Sequence, residues 1–363
     1  MKTIKTTQNQ LSEKIIGAMV APLSAWYVEN QKPLPWRAAG DPYLIWLSEI
    51  MLQQTRTAAV IPYYYRFFEA LPTVEALASV DDGALMKLWE GLGYYSRARN
   101  LKAAAIRIVE DHGGKLPADY DALLALPGIG EYTAGAIASI AFGLPRPAVD
   151  GNVLRVIMRL CDCHWDIADA KTKKAVTAAL SAVYPSGDGA SVLTQALMEL
   201  GENICIPNGR PRCAECPLAS LCLGMARGTA EDLPKKAPKK ARRILQKTVL
   251  LLEHDGKILI RRRPEKGLLA GLWEFPCLDG VMTADEAMAW AREEGLSPLE
   301  CRPFGNAVHI FTHVEWHMTG LLVPLSAPPN GHTMADPDGI VDQYAVPKAF
   351  EFFKKSWLGI KGR

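Results

Sequence analysis

The chain has no apolar run approaching the roughly 20 residues that cross a bilayer, which excludes a membrane-spanning helix. Its opening, MKTIKTTQNQLSEK, is polar and lacks the apolar centre of a secretion signal. A cytoplasmic protein without membrane contact is therefore expected. No internal period of about 20–50 residues stands out, so a repeat architecture is not expected. Charge of one sign is scarce too: 41 basic against 39 acidic side chains leaves a formal net charge of only +2. Eight cysteines are present, but they are not spaced as a disulfide framework.

What is there fits a globular protein of two or three domains: 363 residues, 49% of them apolar and 22% charged. Most of residues 10–225 reads as helices joined by short turns, punctuated by Pro117, Pro127, Pro145 and Pro185. In DPYLIWLSEIMLQQT, Asp41 is placed to cap a helix, Pro42 fits its first position, and Leu44, Leu47, Ser48 and Met51 recur at helical spacing. After a Pro-, Ala- and Lys-rich stretch at 231–243 the pattern changes. Lys247–Glu253 and Lys257–Arg262 read as strands joined through Asp255-Gly256, a hairpin signal. Thr283 with Glu286 forms a capping box that Gly295 could close, further strands lie around 307–323, and a helix near 346–356 completes an α+β domain. The domains expected are 1–228, a basic linker 229–246, and 247–363. Residues 227–247 carry 8 basic and 2 acidic side chains, whereas 1–200 carry 19 and 20. Contact with a polyanion and a merely solvated linker explain that run equally well.

Cys205, Cys213, Cys216 and Cys222 fall within 18 residues, with Pro207, Pro211 and Pro217 stiffening the loop. Four thiolates so placed suit tetrahedral zinc or an iron–sulfur cluster, and spacing alone does not separate them. Cys161, Cys163, Cys277 and Cys301 lack such a setting and read as small core or surface residues. Upstream, ALLALPGIGEYTAGAIASIAFG reads as helix, tight turn, helix. Gly128 and Gly130 allow backbone N–H groups to point forward at the start of the second helix, a phosphate-binding geometry that needs no basic side chain. Two carboxylates stand out. Glu49 shares a helical face with Ile45, Trp46 and Ile50, a setting that raises its pKa. Asp150 precedes Gly151 and by itself reads as a turn residue.

The hairpin, the cysteine loop and the following VDGNVLRV together resemble the helix-hairpin-helix DNA glycosylases of the endonuclease III superfamily, across nearly all of residues 10–225. That resemblance implies a mainly α glycosylase module whose four cysteines hold one [4Fe–4S] cluster. The first gap, Cys205-x7-Cys213, is one residue longer than is usual there. It implies further that Asp150 is the catalytic aspartate, with Asn152 orienting the carboxylate or the substrate. Tyr132 stands where strand-cutting members carry a Schiff-base lysine; a phenol forms no imine, so a monofunctional glycosylase is expected. WLSEIMLQQT resembles the catalytic segment of MutY-type adenine DNA glycosylases, which implies Glu49 as the acid that protonates adenine, Gln54 as a wedge in the duplex and Tyr94 as the aromatic beside the opposing base. Arg97 and Arg99 read as phosphate contacts or plain surface charge.

RRRPEKGLLAGLWEFP, residues 261–276, resembles the start of the Nudix-like C-terminal domain of the same family. The metal-binding box G-x5-E-x7-R-E-x2-E-E-x-G is missing apart from an echo in Arg292-Glu293-Glu294-Gly295, which implies recognition without hydrolysis. Phe311, Thr312 and His313 match the loop that touches the damaged base, with threonine in place of serine. The expected partner is double-stranded DNA with A:8-oxoguanine or A:G mispairs, and the expected state a monomer. A pyrimidine-lesion glycosylase, a non-catalytic iron–sulfur DNA sensor and a Nudix hydrolase fused to a DNA-binding module are the rival readings.

Overall fold

The computed structural model describes residues 9–37, 40–237 and 241–361. The opening residues 1–8 and residues 238–240 of the basic segment lie outside them. By internal contacts the chain forms two units, Met1–Ser79 with Asn100–Pro238, and Val80–Arg99 with Lys239–Arg363.

Among the described residues, twelve α-helices run through the first part of the chain: α1 Glu13–Asn30, α2 Pro42–Leu52, α3 Thr57–Ala70, α4 Val74–Ser79, α5 Asp82–Leu88, α6 Ser96–His112, α7 Tyr120–Leu124, α8 Glu131–Phe142, α9 Gly151–Cys161, α10 Ala170–Ser181, α11 Asp188–Asn203 and α12 Leu223–Ala226. Asp41 caps α2 by accepting from the Tyr43 N–H at 2.8 Å, with Pro42 at the first position as its fixed φ favours. A core of side chains from α1, α9, α10 and α11 holds the first unit, among them Ile16, Met19, Leu23, Ile157, Leu180 and Leu193. Cys161 and Cys163 belong to that core. No described helix is long and apolar enough to cross a membrane.

The C-terminal part is an α+β domain, as its pattern indicates. Its strands are β1 Arg243–His254, β2 Lys257–Arg262, β3 Trp273–Glu274, β4 Cys277–Asp279, β5 Arg302–Ile310, β6 Val314–Pro324 and β7 Thr333–Ala335. They form one mixed sheet in the order β3-β2-β1-β6-β5, with β4 on β1 and β7 on β2. Strands β1 and β6 run parallel in the middle. The run Val249–Leu252 is buried throughout because both faces of the sheet are covered. Val249 and Leu251 face a core with Phe353 and Trp357 of α15 (Glu351–Lys361). Leu250 and Leu252 face the one with Ala287 and Ala291 of α13 (Ala284–Glu293).

Asp255 (φ 46) and Gly256 (φ 74) take the two positive-φ positions of the β1–β2 hairpin. Thr283 and Glu286 form the capping box of α13, and Gly295 (φ 75) ends that helix. Two boundaries move. Strand β1 begins at Arg243, so residues 243–246 of the expected linker are paired strand, aligned with Val314–His317 of β6. Earlier in the same segment, Leu233 accepts from Arg159 Nε at 2.8 Å and Lys235 from the Ile167 N–H at 3.1 Å, which ties residues 229–235 to the first unit. The expected helix near 346–356 opens as a 3-10 turn over Lys348–Phe350 and becomes α15 only from Glu351.

Candidate functional site

Glu49 lies in α2, 5% exposed, in a cleft of about 510 Å³ within the first unit. Trp36, Leu52, Ile140 and Met198 supply apolar walls, and Arg37, Gln195 and Glu199 supply polar groups. Tyr132, in the first turn of α8, donates its phenolic hydrogen to Glu49 Oε2 at 3.1 Å. Burial pushes the Glu49 carboxyl up to about 7, Asp150 pushes the same way, and the Tyr132 hydrogen bond and Arg37 pull back. The carboxyl is therefore poised to hold a proton near neutral pH and to release it. Burial, and then the charges of Glu49 and Asp150, hold the Tyr132 phenol far above its ordinary value, so it remains a donor.

Asp150 is the N-cap of α9. Its Oδ1 accepts from the N–H groups of Asn152 and Val153 and its Oδ2 from Asn152 Nδ2, each at 2.8 Å. Burial raises its pKa and these donors and Arg155 oppose the rise. A carboxylate held by three N–H donors is a fixed negative charge, more than a turn residue. Asn152 is held in turn: its Oδ1 accepts from Arg155 NH2 at 2.8 Å. Arg155 also donates to the carbonyls of Cys205 and Gly201, both at 2.7 Å.

The four clustered cysteines line one cavity of about 310 Å³ with Ile204, Pro211, Ala219 and Met225. Arg159 NH1 donates to Cys205 Sγ at 3.3 Å. Burial raises the thiols of Cys213, Cys216 and Cys222, Cys216 to about 12. Such thiols ionise only beside added positive charge. Between Cys205 and Cys213 the chain makes an exposed bend over 207–210, where Gly209 takes φ 80 and the Arg212 N–H closes back on Ile204 O at 3.0 Å. Among the described residues no three His, Cys, Asp or Glu side chains converge as ligands of a single metal ion.

In the hairpin between α7 and α8, Gly128 takes φ 75, and a Cβ there would lie 2.6 Å from Asn100 Cβ. Glycine is required on both counts. Gly130 differs from the expectation: it is an ordinary extended residue (φ −92) at the N-cap of α8, with open space where a Cβ would be. No side chain caps α8. Gln54 is exposed at φ 55, just past α2.

The remaining residues belong to the second unit. Tyr94, 48% exposed, follows a turn containing Gly91 and Gly93 and has φ 46. Arg97 is neither a phosphate contact nor surface charge. It is buried, donates to the carbonyls of Leu92 and Gly93 at 3.1 Å each, and stacks against Trp89 and Tyr94. Arg99 donates to Ala270 O at 2.9 Å. Phe311, Thr312 and His313 form the β5–β6 turn, with Thr312 and His313 exposed. Tyr94 Oη and Thr312 Oγ1 are 3.1 Å apart.

Residues 47–185 match the profile of the HhH-GPD superfamily base excision DNA repair proteins, and 248–355 match that of the NUDIX domain. The adenine DNA glycosylase of Mus musculus is 34% identical over 360 residues, 83% of this chain and 69% of its own length. That of Buchnera aphidicola from Acyrthosiphon pisum is 31% identical over 83% of this chain and 85% of its own. The human one is 35% identical over 83% of this chain, which spans 66% of the human protein. The chain belongs to the adenine DNA glycosylases. Among solved structures, one of endonuclease III in a non-covalent DNA complex is 27% identical with a TM-score of 0.52, covering 60% of this chain and 99% of that one. A thermostable thymine-DNA glycosylase is 28% identical with a TM-score of 0.52, covering 59% and 98%. Both cover the helical module.

Within this glycosylase, sequence reasoning missed the pair Arg37–Glu199. Arg37 NH1 and Glu199 Oε2 are 2.6 Å apart in the Glu49 cleft, with the Glu199 side chain 3% exposed. The signal that marks Glu49, an acid among apolar residues, is present in LTQALMELGENIC as well. Arg37, just before α2, carries no such mark.

Proposed function

We propose that this protein is a monofunctional glycosylase that hydrolyses the N-glycosidic bond of adenine opposite 8-oxoguanine or guanine in duplex DNA. The observation that carries the reading is Glu49, buried in a cleft with a pKa near neutrality and hydrogen-bonded to Tyr132. An adenine is a poor leaving group until it is protonated at N7, and a carboxylic acid that keeps its proton at neutral pH supplies it. Asp150, fixed as an anion by three N–H donors, stabilises the positive charge that develops on the deoxyribose. Water completes the substitution and leaves an abasic site. Tyr132 holds the acid and, lacking an amine, opens no route to strand cleavage.

The proposed DNA contacts take the residues that match the family's motifs. The N–H groups at the start of α8, uncapped by any side chain, would take a backbone phosphate beyond Gly128 and Gly130. An adenine enters the cleft only when flipped from the stack, at a cost of a few kcal/mol that inserted Gln54 and Tyr94 offset. Phe311, Thr312 and His313 read the opposing base. The solved endonuclease III–DNA complex supports duplex binding by this module.

Cys205, Cys213, Cys216 and Cys222 suit a [4Fe–4S] cluster, since the four residues line one cavity and burial disfavours ionisation of three of their thiols, which a cationic group would offset. When bound, the cluster supplies that charge and ties the loop after α11. A cytoplasmic setting and a monomeric state go with this reading.

The deciding experiment incubates the protein with duplexes carrying A:8-oxoguanine, A:G or thymine glycol, with and without alkali. Strand breaks at adenine after alkali alone are expected. Breaks without alkali, or at thymine glycol, refute the assignment.

A further inference from the structure

Residues 31–37, between α1 and α2, supply Leu34, Trp36 and Arg37 to the wall of the Glu49 cleft. One carboxylate fastens this segment to α11. Glu199 Oε1 accepts from the Lys32 N–H at 3.2 Å, and its Oε2 from Arg37 NH1 at 2.6 Å. Arg37 NH1 also donates to Lys32 O at 3.0 Å, which closes the segment on itself. One turn along α11, Asn203 Oδ1 accepts from Lys32 Nζ at 2.5 Å. Tyr27 of α1 backs the guanidinium, its ring centroid 5.3 Å from Arg37 Cζ. The side chains of Arg37 and Glu199 are only 14% and 3% exposed.

An ion pair this buried needs a reason, because apolar side chains of similar volume would close the wall at least as stably. The reason lies in what else faces Glu49. Its ionisable neighbours are Tyr132 from α8, Asp150 from α9, Arg37 from the segment before α2, and Glu199 and Glu202 from α11. From α3 comes the neutral Thr57, whose hydroxyl donates to Glu202 Oε1 at 3.1 Å. Among the described residues that line the cleft, Arg37 is the one cation. A cation beside a carboxyl group favours its ionised form, and the charge of Arg37 does pull Glu49 that way, against burial. An acid catalyst in this cleft therefore works against its own wall unless the guanidinium is occupied elsewhere.

We propose that Glu199 is a positioning residue for adenine excision: it holds the Arg37 guanidinium on α11, so that the charge does not strip the proton from Glu49. The proposal rests on the reading of Glu49 as the acid that protonates adenine. Two effects of Glu199 act in the same direction. Its carboxylate takes the strongest bond that Arg37 makes, and its negative charge opposes the field of Arg37 across the cleft. Without it, the buried guanidinium turns to the Glu49 carboxylate, the anion it already attracts, and the acid is lost at neutral pH.

The test follows single-turnover adenine excision from an A:8-oxoguanine duplex against pH. It uses the full-length protein and the variants Glu199→Gln, Glu199→Asp, Arg37→Gln and Arg37→Gln/Glu199→Gln. Glu199→Gln is expected to move the basic limb down by about one pH unit, so that the rate drops about tenfold at pH 8 and about twofold at pH 6. Glu199→Asp keeps the charge and is expected to return the limb to about 7. Arg37→Gln should move the limb up, and the double variant should not fall below wild type, because the cation through which Glu199 acts is gone. A limb unmoved in Glu199→Gln, or lowered as far in the double variant, overturns the proposal. So does an equal loss at both pH values, which marks a purely structural role. If Glu199→Gln does not fold, Arg37→Gln decides, and a limb at or below the wild-type position overturns the proposal. A wild-type protein that releases no adenine removes the function itself, and this inference with it.

Discussion

Tyr132 donates to Glu49 across 3.1 Å, joining residues 83 positions apart in the chain. The bond pulls the Glu49 pKa down while burial pushes it up, and burial prevails, to about 7. On the proposed mechanism, excision needs Glu49 protonated and Asp150 ionised. The single-turnover rate should therefore fall as pH rises through about 7. It should fall again in acid where Asp150, its pKa also raised by burial, takes up a proton. Glu49→Gln should lose the basic limb and slow excision by about two to four orders of magnitude. A variant that keeps the basic limb would assign that limb to another group.

Tyr132→Phe removes a hydrogen bond to the ionised form of Glu49, so the basic limb should move to higher pH with the ring still in place. The pH profile of single-turnover excision checks it. A shift to lower pH would mean that the phenol favours the protonated acid.

Glu49 also links stability to pH. Its folded pKa, about 7, lies above its ordinary value of 4.5, so its stabilising contribution is full below about 4.5 and is lost as pH rises through 7. At pH 8 the buried charge costs about 3 kcal/mol. Glu49→Gln should accordingly raise the unfolding free energy at pH 8 and change it little at pH 4.5. Denaturant unfolding at the two values measures the difference, and equal effects at both would contradict it.

How far the site could be read in advance follows from where each residue's information lies. Glu49 stands out locally as an acid on an apolar helical face, whereas Tyr132 and Asp150 are marked only by their places in the family motif, Asp150 by itself reading as a turn residue. The Arg37–Glu199 ion pair spans 162 positions, and the Tyr94–Thr312 contact spans 218. Neither residue of such a pair has a local pattern that names its partner. Arg97 misled because a charged residue in a polar run reads as exposed, whereas here its guanidinium satisfies carbonyls of a tight turn and is buried. The early start of β1 was hidden for a related reason. Arg243–Gln246 look like linker by composition and become strand by pairing with β6.

On the proposed cofactor assignment, loss of the cluster should loosen the loop after α11 and, through it, the whole first unit, since Ile204, Cys205, Cys216 and Cys222 pack on the core containing Ile157 and Leu200. Cys216→Ser is expected to lose visible-range iron–sulfur absorbance and to unfold at lower temperature. Full absorbance and an unchanged transition would remove the cysteines from the cofactor site.

Arg155 offers the sharpest separation of structure from catalysis. It is 5% exposed, and its guanidinium ties Asn152 Oδ1 to the carbonyls of Cys205 and Gly201. Shortening it in Arg155→Gln strands buried carbonyls, each worth about 1–3 kcal/mol, so a loss of roughly 2–4 kcal/mol in stability is expected. The catalytic effect runs through Asn152, whose amide then rotates and no longer holds Asp150 Oδ2. Excision at a temperature where the variant is folded should slow about tenfold or more, because one donor to the charge-stabilising carboxylate is lost. Affinity for duplex should persist, since Arg155 reaches no surface that DNA would touch. Asn152→Asp tests the same step without disturbing the buried carbonyls: it replaces the donor with a second negative charge beside Asp150, raises the Asp150 pKa further and should shift the acid limb of excision upward. An acid limb that stays in place would show that Asn152 does not govern the carboxylate it touches.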